Sequence, residues 1–403
     1  MKATRTTVAG GTLVAAGMMT MNVTTYAFNV LAARVLAPQD FGALTALFGI
    51  ILVGSVGSLG LQAVTARRIA VAPESQAEIV ASIMRLTVEI AVLVGLAVAS
   101  TSWLLTPSLT LGSYWAVVLC GAALVPMTLM GTLSGIAQGT SRWGSLTAVY
   151  VGNGLGRLVG GTVGLIVSPT PTAAMIGIAI GAWTPVIAGA PMLREWHLGS
   201  GTGRARRAML RESFLSTHAL LAFFALSNMD SLIARHRFDL HESGLYASGL
   251  ILAKAAFFFP QFVSVVVFPA LARARTHHAR VRAIALVGGF GALAVAGTAV
   301  LPQWALVLVG GHEYRAITDR LWMFALSGSL LALVYLLVFD ALARHAHGVV
   351  VLVWTAVLAV LAVSYGWNLS ITGLVLTIAT VAGTLAMVVG VAPMLTRRGR
   401  DMF

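Results

Sequence analysis

The chain has 403 residues, of which 58% are hydrophobic and only 10% charged, with a formal net charge of +13. A soluble globular domain carries roughly 25% charged residues, so this composition, with a mean hydropathy of +0.90, excludes a soluble fold and places most of the surface against lipid. The basic residues lie mainly in short loops between apolar runs, which makes them a topology signal rather than a nucleic-acid patch.

Apolar runs long enough to cross a bilayer, about 20 residues each, fall at 8–33, 41–66, 80–104, 114–138, 143–167, 172–193, 213–236, 243–271, 283–310, 319–343, 347–366 and 369–395. They predict an all-α polytopic membrane protein of about twelve spans. The apolar stretch after Lys2 and Arg5 runs on to about Val35 without a small-residue cleavage site, so it is read as a retained first span. The connections are short. The longest, Arg194 to Glu212, is rich in glycine and arginine and is the one plausible linker. The predicted organisation is an N-terminal lobe over 1–198, a basic cytoplasmic linker over 199–212 and a C-terminal lobe over 213–403.

Orientation follows from the 26 basic residues. With the N-terminus inside, five lie in outer segments (Arg34, Arg235, Arg237, Arg315 and Arg320) and three within spans (Arg85, Arg157 and Lys254). The remaining eighteen are all on the inner side. The asymmetry puts both termini in the cytoplasm and supports an even number of spans. Inner basic loops also suit anionic lipid headgroups. A short internal repeat agrees with this. The first span exits as Ala33-Arg34 and reopens at Gly42, and the seventh exits as Ala234-Arg235 and reopens at Gly244. Six spans separate the copies, so two six-helix lobes related by an axis along the membrane normal are expected.

A charge at the centre of a span costs about 2.5–3.5 kcal/mol or more, so such residues usually face a polar interior. Arg157 lies near the middle of the fifth span. Tyr150, Asn153, Arg157 and Gly161 share one helical stripe, beside a ladder of Gly152, Gly156, Gly160 and Gly164 that lets another backbone approach closely. The guanidinium is a candidate grip for an anionic group, or else a structural Arg held by carbonyls or a carboxylate. Lys254 lies roughly 15 Å from the nearest end of the eighth span at about 1.5 Å per residue, with Gln261 on its face. It is a candidate substrate contact or one half of an ion pair between lobes. Arg85 and Glu89 stand four apart on the third span and can neutralise each other, with Glu89 also a candidate proton or sodium site. Asp230, in Ser227-Asn228-Met229-Asp230-Ser231, is a candidate cation site or a partner for Arg235 or Lys254. Asn22, Tyr26 and Asn29 on the first span and Ser55, Ser58 and Gln62 on the second read as cavity walls or as interhelical hydrogen bonds.

The single cysteine, Cys120, lies in an apolar run and excludes an intramolecular disulfide framework. No Walker A, triad order or cysteine-pair zinc pattern appears, so neither an enzyme nor a metal site is predicted, and no cofactor is expected beyond a coupling ion, H+ or Na+.

The run from Asn29 through Arg34, Pro38, Phe41 and Gly42 to Gly60, Gln62 and Ala66-Arg67 resembles the first two spans of polysaccharide-biosynthesis flippases. These belong to the multidrug/oligosaccharidyl-lipid/polysaccharide exporter (MOP) superfamily. Asn228-Met-Asp230, Gly244-Leu-Tyr246, Lys254 and Phe268-Pro269 resemble the same family's seventh and eighth spans. The resemblance implies movement of a lipid-linked diphosphate oligosaccharide from the inner to the outer leaflet of a bacterial plasma membrane by alternating access. It implies Arg34, Arg157 and Lys254, with Arg85, as phosphate contacts. It also implies an anionic lipid-linked glycan as substrate, with other polysaccharide-assembly membrane proteins as candidate partners; a monomer in the bilayer is expected, since two lobes already enclose a pathway. Two rivals are a multidrug antiporter of the same fold, which would prefer an acidic cavity, and a non-transporting scaffold of a glycan assembly complex.

Overall fold

The computed structural model describes residues 2–195, 217–218, 220–272, 277–343 and 348–398, all helix, turn or short connection with no strand among them. The expected linker at 199–212 lies outside the described residues. The chain is an all-α polytopic membrane protein that divides into two compact units, 1–221 and 222–403. Among the described residues, eight helices are long and apolar enough to cross a bilayer. The helices over the predicted first and fifth spans are long enough, at 34 and 25 residues, but are less apolar because they carry threonine, asparagine and glycine.

The first unit runs α1 (Lys2–Val35), α2 (Pro38–Gly54), α3 (Val56–Val71), α4 (Gln76–Ser100), α5 (Ser102–Ser108), α6 (Tyr114–Gly139), α7 (Trp143–Val167), α8 (Pro171–Gly181) and α9 (Thr184–Gly189). The helix starts are written locally. Proline opens α2 and α8, where its missing N–H costs nothing. The Thr170 hydroxyl accepts from Ala173 N at 3.2 Å and the Ser113 hydroxyl from Trp115 N at 3.2 Å, capping α8 and α6. The second span is interrupted at Ser55, between α2 and α3. Inside a membrane, carbonyls freed by such a break need partners. The Ser55 hydroxyl donates to Leu52 O at 2.9 Å and the Ser58 hydroxyl to Ser55 O at 2.7 Å.

The glycine ladder of α7 packs on α8 as its spacing predicts. A Cβ at Gly156 would meet the Gly181 carbonyl, one at Gly160 the Gly177 carbonyl and one at Gly164 the Ala173 carbonyl. Glycines 177 and 181 return the contact from α8. The opposite side of α7 packs on α1, where Gly154 lies against Thr24 and Met21, and Gly161 against the Phe28 ring.

The second unit runs α10 (220–226), α11 (Met229–Arg237), α12 (Leu240–Ala272), α13 (His277–Val300), α14 (Pro302–Val309), α15 (Leu321–Ala343), α16 (Gly348–Gly366) and α17 (Ile371–Arg398). The seventh span breaks at Ser227–Asn228, between α10 and α11. The Asn228 amide donates to Phe224 O at 2.9 Å and to the Ser227 hydroxyl at 3.0 Å, satisfying part of the broken turn. Aromatic rings fill this unit's core: Tyr246 meets Phe324 edge-on at 5.2 Å, and Phe223 meets Tyr335 at 5.3 Å and Phe257 at 5.8 Å. Gly328 brings α15 against the Ala253 backbone of α12.

The repeat seen in the sequence has a local counterpart. α1 passes to α2 through two residues, Leu36 and Ala37, and α11 passes to α12 through Phe238 and Asp239. In each, the first linking residue hydrogen-bonds back to an alanine carbonyl, Ala32 or Ala234. Exposed Trp103, Trp115, Trp304 and Trp367 cluster at helix ends, as side chains of an interfacial belt do.

Candidate functional site

Each unit buries ionisable groups at a helix junction, and each is built from its own residues. In the first unit, the ladder commits one face of α7 to α8. The polar stripe is thereby turned away from α8. The Tyr150 hydroxyl accepts from Gln62 Nε2 of α3 at 3.1 Å, and Asn153 Nδ2 donates to Met21 Sδ of α1 at 3.3 Å. Arg157 is half-buried one turn beyond. Its guanidinium lies 4.0 Å from the centre of the Phe48 ring of α2 and 6.0 Å from that of Phe28 of α1. The two rings meet edge-on at 6.0 Å. The Nε atom is buried and donates to nothing among the described residues. A ring face attracts a cation by about 0.5–2 kcal/mol but accepts none of its in-plane N–H bonds. A buried donor left unsatisfied costs about 1–3 kcal/mol. Arg157 thus has electrostatic backing with hydrogen-bonding capacity to spare, and an oxyanion is the natural complement of such a fork.

In the second unit, Asp230 lies in the first turn of α11, immediately after the break, where a negative charge suits the helix dipole. It is only 4% exposed. One carboxylate oxygen accepts from Ser231 N at 2.8 Å and the other from the Tyr246 hydroxyl at 3.2 Å. Lys254, half-buried on α12, is a basic side chain within electrostatic reach of it. Arg235 is 5% exposed and its Nη1 donates to Ser243 Oγ at 3.0 Å across the α11–α12 turn.

The other sequence candidates are not gathered at either cluster. Arg34 is exposed at the end of α1. Arg85 and Glu89 are exposed on α4, along the face that also exposes Val88, Val92 and Leu96. The opposite face of α4, with Ile83, Leu86 and Ala91, is the buried one. Gln261 is on α12, but its side chain is outside the described residues. What sequence reasoning missed is the aromatic support: Phe28 and Phe48 under Arg157, and the Tyr246 hydroxyl on Asp230. Only the position of Tyr246 in the repeat offered a signal.

No family model and no curated protein matches the sequence. Solved structures do match the whole chain. The inward-facing conformation of a multidrug resistance MATE family transporter of the MOP superfamily superposes with a TM-score of 0.75 at 13% identity, covering 97% of this chain and 99% of that one. The fold is MATE-like. The outward-facing conformation of a MATE transporter of the MOP superfamily superposes at 0.63, with 14% identity over 98% and 95% of the two chains. A eukaryotic MATE transporter superposes at 0.59, with 14% identity over 97% and 96%. At these identities the likeness concerns architecture. It shows the fold and leaves the superfamily, and the polysaccharide-flippase branch of it, to the residues.

Proposed function

We propose that this chain is an alternating-access transporter of a bacterial plasma membrane, with both termini cytoplasmic. The observation that carries this reading is the whole-chain likeness to transporters solved in inward- and outward-facing conformations. Helix interruptions at Ser55 and Asn228 agree with it, because broken spans in transporters place polar groups and half-helix ends at mid-depth.

Two kinds of cargo compete. The structural likeness favours drug-like amphiphiles, since the similar structures are of multidrug or MATE transporters. Arg157 favours the lipid-linked diphosphate glycan: a half-buried guanidinium with a buried, unpaired Nε is suited to phosphate oxygens and ill suited to an organic cation. The anionic reading rests on this residue alone. Arg34 and Arg85 are exposed, and Lys254 lies within electrostatic reach of Asp230. In that reading the lipid tail stays in the bilayer while hydrated sugars cross in water, because stripping hydroxyls into hydrocarbon costs several kcal/mol each. Glu89 and Asp230 are the carboxylates offered to a coupling proton or sodium ion.

The test is reconstitution of the purified chain in proteoliposomes with two cargoes in parallel, a lipid-diphosphate oligosaccharide read by leaflet accessibility and a cationic dye read by efflux. Movement of the oligosaccharide that Arg157→Ala abolishes assigns the anionic cargo. Dye efflux indifferent to Arg157→Ala assigns the multidrug reading. Movement of neither under an imposed proton or sodium gradient overturns the transporter reading in favour of a scaffold.

A further inference from the structure

The coupling reading of Asp230 meets an obstacle in the surroundings of that residue. The carboxylate is 4% exposed, at the start of α11. Two neutral donors touch it, Ser231 N and the Tyr246 hydroxyl. Two hydrogen bonds and a helix end soften the burial of a full negative charge, but they do not neutralise it. Tyr246 and Lys254 stand eight residues apart on α12, about 80° apart around it and so within one broad face of the helix. The ring of Tyr246 is held by Phe324 and Phe238, so its hydroxyl fixes the side of α12 that is turned to Asp230. Lys254 follows on that side two turns on, with a stem long enough to reach back toward the carboxylate.

We propose that Lys254 is the resident counter-ion of Asp230, a tethered ammonium standing where an exchangeable metal cation would otherwise sit. The surrounding atoms make the point concrete. Besides the Asp230 carboxylate, the Tyr246 hydroxyl that rests on it is a hard oxygen donor, and the Asn228 carbonyl at the α10–α11 break, two residues before it, is another, the kind that suits a small hard cation. With Lys254 in place the charge is already matched, and a sodium ion entering beside it would be repelled. A cation reaches Asp230 only when the ammonium leaves. The inference narrows the coupling role suggested above for Asp230. It is read by ion binding and not by transport, so its failure leaves the transporter reading standing, and the reverse also holds.

The experiment measures thermal unfolding of the full chain in detergent, in sodium chloride against choline chloride at equal ionic strength. The wild type is expected to show the same Tm in both. Lys254→Ala is expected to lose stability in choline and to regain several degrees in sodium, with a saturable dependence on sodium concentration. Asp230→Asn added to Lys254→Ala is expected to erase the sodium response and to recover stability in choline, because both charges are gone. A sodium-specific rise in the wild type that Asp230→Asn removes would overturn the proposal, as would a folded Lys254→Ala that ignores sodium. If Lys254→Ala does not fold in either salt, the doubly neutral Lys254→Met/Asp230→Asn decides. Its folding supports a charge pair, and its failure shows that the lesion is not one of charge and sinks the idea.

Discussion

Arg157 in the first unit and Asp230 in the second are both ionisable groups set beside aromatic rings, yet their surroundings differ in kind. The Arg157 guanidinium rests on Phe48 and Phe28, and its Nε has no acceptor among the described residues. Asp230 has a donor on each oxygen and the charge of Lys254 close by. The first arrangement stabilises charge through a diffuse field and keeps hydrogen-bonding capacity in hand. The second uses that capacity internally. A group of the first sort keeps donors that a ligand could use, whereas one of the second sort contributes to the architecture of its own unit. The same contrast separates the two copies of the repeat: Arg34 is exposed after the first span, and Arg235 is buried on Ser243 after the seventh.

Substitutions can break this contrast or sharpen it. Asp230→Ala has the largest expected effect, because it strands two donors, Ser231 N and the Tyr246 hydroxyl, and removes the counter-charge proposed for Lys254. Each buried donor left unsatisfied costs about 1–3 kcal/mol, seen as a fall in thermal stability in detergent. Gly160→Val comes next. Its side chain meets the Gly177 carbonyl, a backbone atom that cannot swing aside, so the cost is expected at or above the upper end of the overpacking range, about 3 kcal/mol. Tyr246→Phe removes one hydrogen bond to a carboxylate and keeps the ring packing, so a loss of about 1.5–3 kcal/mol is expected. Arg157→Met belongs at the small end for stability, within about 1 kcal/mol, since the apolar stem remains and an unsatisfied donor disappears. If Arg157 unfolded the chain as severely as Asp230 does, the contrast drawn here would be wrong. Circular dichroism melts of the four variants in one detergent rank them directly.

The sequence made the class of fold plain through its apolar runs, and the α7–α8 contact through a four-residue glycine spacing that has few other uses. It also flagged Arg157, Lys254 and Asp230, because charge within a span is costly wherever it lies. It did not show their company. Phe28 and Phe48 come from two other helices and carry no mark that separates them from any apolar residue of a membrane span. Arg85 and Glu89 illustrate the opposite failure. As letters they resemble buried charges, but helical phase puts them on the exposed face of α4, and phase depends on which face the neighbouring helices take. The hydrogen bond from Tyr246 to Asp230 joins two helices just after the break at Ser227–Asn228, and hydropathy registers neither the break nor the bond.

The glycine seam between α7 and α8 has a mechanical consequence. Where two backbones touch with no side chains between them, there is nothing soft to absorb a displacement. A pull on the guanidinium of Arg157 is therefore felt by α8 at almost full amplitude, so the two helices behave as one strut. Whatever binds at that arginine has hold of a lever two helices wide.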